Sequence, residues 1–362
     1  MGTHTTHQGI IPPYLLTRLA RVGGEQFPVA AAAARKTIAA GRPPFRHRGQ
    51  LDLSIDSSGS LVVELTAAPN RTISDANNTQ NLPGMTVREE GDEPSADETV
   101  NAAYDGLGAT FDLLLNAFAR NSLDGAGAPL YATVHYGEDY DNAFWDGERM
   151  VFGDGDGEVF LGFANSTTVI GHELAHGVIQ HTANLAYRDQ SGALNESIAD
   201  VVGALTEQFL AGQTADAATW LIGSGIFTSA VQGVALRNML EPGTAYDDDV
   251  LGRDPQPGHM RDFVTMVEDN GGVHVNSGIP NRAFALLARD LGGFAWERAG
   301  VIWYRALTGS LPSTATFEQF ADATVSAAEA EYGKASEEVR AVHQAWRAVG
   351  VYDEVQRRDA PE

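Results

Sequence analysis

The sequence predicts an α+β fold of two lobes, a β-rich N-terminal lobe and a mainly helical C-terminal lobe. Two patterns carry this reading. Up to about residue 161, short β-like segments alternate with loops rich in Gly, Pro and acids, whereas beyond Asn195 apolar residues recur mostly at helical spacing. Between them lies T-T-V-I-G-H-E-L-A-H-G-V-I-Q-H, residues 167 to 181, an apolar helix placed to join the lobes. With 362 residues and 43% hydrophobic content, the chain can bury a large core, and two lobes plus an N-terminal appendage fit that size.

In chain order, the stretch from Tyr14 to Ala40 is rich in Ala and Leu and reads as one or two helices between Pro12-Pro13 and Gly41. Residues 51 to 65 alternate apolar and polar residues around Ser-Ser-Gly, as a hairpin does. Pro83, Gly84, Gly91 and Pro94 among many acids mark 81 to 98 as loop. A helix over 101 to 119 follows, then strands at 130 to 136, 149 to 152 and 158 to 161. Further helices are expected at 195 to 211, 214 to 224, 280 to 292, 294 to 307, 316 to 331 and 334 to 348. The expected division is 1–48, 49–184 and 185–362.

A net charge of -24 argues against nucleic acid or an anionic membrane as partner, because both attract basic surfaces. The imbalance is uneven: residues 1 to 50 carry +6, leaving -30 for the remainder. A basic N-terminal segment can be held on an acidic body by charge, although exposed pairs are weak; a charged leader or a disordered tail is the alternative. Residues 1 to 20 lack the basic start, apolar core and small-residue cleavage site of a secretory signal, and no run is long enough to span a membrane. Synthesis in the cytoplasm is expected, with export by a non-classical route left open. The chain has no cysteine, so His and carboxylate must hold any metal.

His172 and His176 are four residues apart and share one helix face, so both imidazoles can reach one Zn²⁺, with Glu173 beside a water on the metal. A catalytic zinc takes three protein ligands and leaves one position open. G-A-L-N-E-S-I-A-D, Gly192 to Asp200, reads as the start of a second amphipathic helix behind a glycine-containing turn, and Glu196 is its natural carboxylate ligand. One turn on, Asp200 can accept a hydrogen bond from the far nitrogen of a ligand histidine. Glu173, free of the metal, is the candidate general base. Zinc on these helices would floor an interlobe cleft where an extended peptide could lie along a strand edge.

These residues carry a resemblance. H-E-L-A-H followed by G-A-L-N-E-S-I-A-D is similar to the thermolysin family of zinc endopeptidases. D-N-A-F-W-D-G (141–147), M-V-F-G-D-G-D-G (150–157), A-L-R-N-M (235–239) and D-N-G-G-V-H-V-N-S-G-I (269–279) agree in order, so the likeness runs from about Arg71 to Val351. I-I-P-P-Y-L-L (10–16) resembles the short prosegment of the protealysin-like branch. The resemblance implies a two-lobed thermolysin-like architecture and a neutral endopeptidase. It implies His274 as the donor to the oxyanion, with Asp269 orienting it and Tyr187 assisting. Asn142 and Ala143 would bind the peptide backbone, Arg237 a substrate carbonyl. Phe163, Val169 and Leu236 would line a pocket selecting bulky hydrophobic residues on the amino side of which the chain is cut.

The family's paired calcium site is expected to be lost. Glu207 matches it, but the other matching positions are Thr168, Thr219, Leu221 and Ser224, too few oxygens for a hard cation. Asp247, Asp248, Asp249 and the G-D-G-D-G turn read as solvated acidic loops or as calcium ligands. Resemblance and charge together imply a zymogen: residues 1 to about 48 folded on the catalytic body, the Pro-Pro-Tyr-Leu-Leu end in or near the cleft, removed by proteolysis. A permanent N-terminal helix is the rival. A catalytically dead metal-binding homologue would lack the base or the oxyanion donor, yet both are present. An aminopeptidase would need a further carboxylate for the substrate amine, and none is visible. Protein or peptide substrates and a monomer are expected.

Overall fold

The computed structural model describes residues 9–24, 26–40 and 67–352. The hairpin expected over 51 to 65 lies outside them. Two short helices open the described chain, α1 (Pro13–Val22) and α2 (Pro28–Ala40), each begun by a proline whose fixed φ suits a helix start. A five-stranded sheet follows, built from β1 (Arg71–Asp75), β2 (Met85–Glu89), β3 (Leu130–Val134), β4 (Ala143–Trp145) and β5 (Met150–Phe152) in the order β2-β1-β3-β5-β4. Strand β3 runs parallel to both β1 and β5, and the outer pairs are antiparallel. This leaves β4 at one edge, with unpaired backbone groups able to take another strand.

Between β2 and β3 lies α3 (Glu98–Phe118), capped by Asp97, whose carboxylate accepts from the N–H groups of Thr99 and Val100. His135, in the left-handed region at φ 53, ties this cap to the sheet. Its Nε2 lies 2.9 Å from Asp97 and its Nδ1 2.8 Å from Asp154 in the G-D-G-D-G turn. The bond to Asp154, against the opposing effect of burial and with help from Asp97, raises His135 to about 9. A raised imidazole stabilises the fold fully below its unfolded pKa of about 6.5, and that contribution is lost as pH rises through about 9. Because both carboxylates are partly solvated, we expect about 1 kcal/mol less stability at pH 10 than at pH 6 from this group. Urea titrations of the wild type and of His135→Gln at the two pH values check it: the substitution should remove that part of the pH dependence.

The connecting helix α4 (Thr167–Gln180) is buried from Thr168 to Ile179, as a helix apolar on all sides must be. It packs across α5 (Asp189–Ala211) at two glycines. A Cβ at Gly171 would fall 2.9 Å from the Cα of Gly203, and one at Gly203 would fall 2.3 Å from the carbonyl oxygen of Thr168. Only bare backbone permits this approach, and it brings one face of α5 onto the ligand face of α4.

The rest of the chain holds two small ribbons, β6 (Leu221–Ile222) with β7 (Arg237–Asn238) and β8 (Asp247–Asp248) with β9 (Gly252–Arg253). Helices α6 (Asp269–Asn276), α7 (Gly278–Leu291), α8 (Ala299–Thr308), α9 (Phe317–Tyr332) and α10 (Glu337–Ala348) complete the second lobe. Its core includes Trp303 stacked on Trp346 at 5.5 Å, with Phe320 edge-on to both.

Pairing overrides the local reading at several points. Residues 81 to 98 contain β2, stabilised by β1, and β1 and β4 were not expected from the pattern. The helix expected over 214 to 224 is absent: the segment turns so that Trp220, at φ 58, buries its ring and donates Nε1–H to the carbonyl of Ala215. Over 158 to 161 only an isolated bridge between Phe160 and Phe227 forms. Gly192 sits inside α5 rather than in a turn before it, and 294 to 307 is α-helical only from Ala299. No helix among the described residues is long and apolar enough to cross a membrane.

Candidate active site

The glycine contact between α4 and α5 sets His172 and His176 against Glu196. Facing ligand atoms of the three lie within 4.8 Å of one another. Asp200 Oδ1 is 2.8 Å from His172 Nδ1, and Asn195 Oδ1 is 2.8 Å from His176 Nδ1. Acceptors at both Nδ1 atoms fix the tautomers, so each ring turns a bare Nε2 lone pair inward. The two Nε2 atoms are 3.1 Å apart. Burial, reinforced by His172, lowers His176 to about 4 and keeps it neutral, as a ligand must be. Glu196 Oε2 is buried with no hydrogen-bond partner, 3.5 Å from His172 Nε2. Two facing lone pairs and an unpaired buried carboxylate oxygen repel unless a cation lies among them, and two nitrogens with one oxygen is a donor set for Zn²⁺ with a vertex left open. The residues fit the metal.

Glu173 is fully buried on the same helix and neither carboxylate oxygen is hydrogen bonded. Burial first, then the charge of Glu196 against the pull of His172, raises it to about 7, the range in which a general base works near neutral pH. His274 borders the cluster through Glu196, its Nε2 3.4 Å from Glu196 Oε2. Four successive residues with positive φ, Asp269 to Gly272 at 53°, 51°, 89° and 80°, turn the chain so that Asp269 reaches back to His274. One Asp269 oxygen accepts from the His274 backbone N–H at 2.9 Å and the other lies 2.5 Å from Nδ1. Burial alone would lower His274, but Asp269 and Glu196 outweigh it and raise the ring to about 9. It is therefore a proton donor at neutral pH. The Tyr187 hydroxyl bridges Glu196 and His274, 3.2 Å from His274 Nε2.

Arg237, on β7, is 2% exposed and grips Asp200 with two hydrogen bonds of 2.7 and 2.8 Å. Asn281 adds a third to the same carboxylate at 2.8 Å. Burial would raise Asp200, yet Arg237 and His172 hold it well below the usual carboxylate range. Phe163, Val169 and Leu236 are all buried close by in sequence to the site elements, at the mouth of α4, in its first turn and beside Arg237.

The cleft holds part of the same chain. Residues Gly9 to Ile11 run along edge strand β4. Ile10 N–H donates to the Ala143 carbonyl at 3.0 Å, and Ile11 N–H to Asn142 Oδ1 at 2.9 Å. Arg237 Nη1 donates to the Ile10 carbonyl at 3.1 Å, and His274 Nε2 lies 3.0 Å from the Gly9 carbonyl. Gly9 to Ile11 make these contacts and Pro13 opens α1 directly after them, so the Pro-Pro-Tyr-Leu-Leu end lies beside the site, with Tyr14 near Arg237 and Asp269. Away from the cleft, Arg18 donates to the carbonyls of Asp249 and Val250, and the first turn of α2 donates to Glu158 through Val29 and Ala30. Lys36 pairs with Glu138 and Asp139 at 3.1 and 3.4 Å, so basic groups meet acidic ones as the charge distribution implied.

Comparison with known proteins agrees with this geometry. Residues 46–180 match the profile of the thermolysin metallopeptidase catalytic domain, and 183–351 that of the thermolysin metallopeptidase α-helical domain. An extracellular metalloprotease of Pectobacterium carotovorum is 46% identical over 344 residues, 94% of this chain and 96% of that one. The chain belongs to the thermolysin metallopeptidase family. Protease PrtS of Photorhabdus is 46% identical over 359 residues, covering 96% of this chain and 93% of its own. A precursor of protealysin, a metalloproteinase from Serratia proteamaculans, superposes with a TM-score of 0.85 at 47% identity, over 96% of this chain and all of that one. A thermolysin of Alicyclobacillus acidocaldarius is 43% identical over 265 residues, 71% of this chain but 46% of that one. The precursor likeness and the His172, His176 and Glu196 cluster make the chain a zinc metalloendopeptidase of the protealysin branch.

Three residues that hold the site were not singled out by spacing. Asn195 orients His176, Asn281 supports Asp200, and Gly9 meets His274. Asn195 immediately precedes the carboxylate ligand, and its role depends on how closely α4 and α5 cross. No sequence periodicity reports that distance.

Proposed function

We propose that this chain is a proenzyme that hydrolyses peptide bonds on the amino side of bulky hydrophobic residues, with residues 1 to about 48 as its prosegment. The observation that carries it is the lay of Gly9 to Ile11 along β4 and onto Arg237 and His274, the latter beside Glu196 of the buried ligand cluster. Ile10 has no exposed surface and belongs to the same apolar cluster as Phe163, Val169 and Leu236. The precursor relative of the same shape supports the zymogen reading.

His172, His176 and Glu196 would hold the zinc, which when bound polarises the scissile carbonyl and lowers the pKa of a water towards about 7. Glu173 takes the proton of the attacking water and passes it to the departing amide nitrogen. His274, protonated and oriented by Asp269, donates to the oxygen that gains charge, and Tyr187 stands beside it as a second donor. Asn142, Ala143 and Arg237 hold the peptide backbone as a strand added to β4. Asp200 keeps His172 in the ligand tautomer.

We also hold the paired calcium site to be lost. The Thr168 hydroxyl, fully buried, accepts the Gly223 N–H at 2.8 Å, and Leu221 is spent in β6. Asp248, the middle acid of its loop, accepts from the N–H groups of Gln232, Val250 and Leu251, which leaves little of it for a cation. Export by a route without a recognised signal fits a relative described as extracellular.

The test is incubation of the purified full chain with casein, with and without a chelator, while its own mass is followed. Chelator-sensitive hydrolysis with a loss of about 5 kDa, the mass of roughly 48 residues, is expected. An inert chain of unchanged mass would sink the proposal.

A further inference from the structure

We infer that the Gly9–Ile10 peptide bond is itself a substrate: the proenzyme cuts its own chain there, in cis, before the prosegment is removed. The inference rests on the endopeptidase reading and adds a specific bond to it. An inhibitory strand can block a cleft in either direction and at any register. This one lies in the direction and register of a substrate. The carbonyl oxygen of Gly9 points at His274 Nε2 from 3.0 Å, where the donor for the developing oxyanion would be used. That nitrogen is itself 3.4 Å from Glu196 Oε2, so the carbonyl meets a group that borders the ligand cluster. On the other side of the same bond, the Ile10 N–H is held by the Ala143 carbonyl and the Ile10 carbonyl by Arg237. Its side chain is entirely buried, as the bulky residue following a cut bond should be. Ile11 continues the strand through both ends of the Asn142 amide, at 2.9 and 3.5 Å.

The residue before the bond is also constrained. A Cβ on Gly9 would meet Asn142 Nδ2 at 2.6 Å and the Ala143 carbonyl oxygen at 2.8 Å. Glycine therefore lets the backbone settle onto β4 closely enough to set the carbonyl against His274, and a larger residue would lift it.

The step is a hydrolysis. Water adds its oxygen to the Gly9 carbonyl carbon, Glu173 carries the water's proton to the Ile10 nitrogen, and the C–N bond breaks. The products are a Gly9 carboxylate and an Ile10 amine. The anchoring of α1 and α2 rests on Arg18, Lys36, Val29 and Ala30, all beyond the cut bond. The remaining prosegment thus stays on the cleft after the first cut.

The experiment follows the full-length chain by intact mass and N-terminal sequencing after Zn²⁺ is restored to chelated protein. The expected first product has lost about 1 kDa, nine residues of a 38.6 kDa, 362-residue chain, and begins at Ile10. Its half-time should be unchanged over a roughly 100-fold dilution, as an intramolecular reaction requires. Glu173→Gln and Gly9→Val should both fail to produce it. In parallel, amide exchange on the metal-free wild type should show Ile10 and Ile11 protected by at least about 10-fold relative to Gly9→Val. Casein hydrolysis by a chain that never shows Ile10 at its N-terminus overturns the inference and spares the endopeptidase reading. A half-time that lengthens with dilution overturns the cut in cis, and unprotected Ile10 and Ile11 amides overturn the seating. A chain that neither trims itself nor hydrolyses casein overturns both readings.

Discussion

Glu173→Gln should bind one Zn²⁺ per chain as the wild type does and lose about 10³ to 10⁴ in kcat/KM on a peptide substrate. The two side chains have the same shape, and His172, His176 and Glu196 are untouched, so the metal site stays as it is. What changes is proton affinity. A carboxylate raised to about 7 by burial can accept the water's proton and give it up again, whereas an amide can do neither. The substitution exchanges one buried polar group for another of the same size, so the fold should change little. Elemental analysis, circular dichroism and steady-state kinetics on the same preparation separate these effects. Activity within tenfold of the wild type would remove Glu173 from the proposed mechanism.

Arg237→Met should destabilise the metal-free full chain by about 3–5 kcal/mol, the cost of leaving a buried carboxylate without its charged partner. Asp200 is wholly buried and takes part in four hydrogen bonds with only three residues, Arg237, His172 and Asn281, of which Arg237 supplies the permanent charge. Its pKa is depressed in the fold, so its contribution is present above the unfolded value near 3.8 and fades as pH falls through the lower folded one. In Arg237→Met that profile should shift towards higher pH. Combining it with Asp200→Asn should restore much of the loss, because the orphaned charge is then gone. Urea unfolding of the four proteins at pH 7 measures the coupling; additive losses would mean that the pair does not act as a unit. The single variant also loses the donor to the Ile10 carbonyl, so its prosegment should bind less tightly.

Much of the site could be read from spacing alone. His172 and His176 share a helix face by their separation of four, and Glu196 and Asp200 share the next by the same rule, so four groups around one point followed from periodicity. Arg237, Asp269, Asn142 and His274 were reachable only through the family likeness, because the left-handed turn at 269 to 272 and the edge position of β4 are tertiary facts. The failed helix over 214 to 224 shows the limit from the other side. Its alanines favour a helix, but burying Trp220 and pairing Leu221 and Ile222 with β7 gain more than local propensity offers. Strand β2 was hidden in the same way, since its burial is slight and its stability comes from β1.

The bare backbones of Gly171 and Gly203 work as a gauge. How far the imidazoles stand from Glu196 is fixed by the thickness of two polypeptide chains, with no side chain between them to be compressed or rotated. One methyl group at either position would wedge the helices apart while every ligand kept its identity. Affinity for the ion is therefore vulnerable at residues that never touch it.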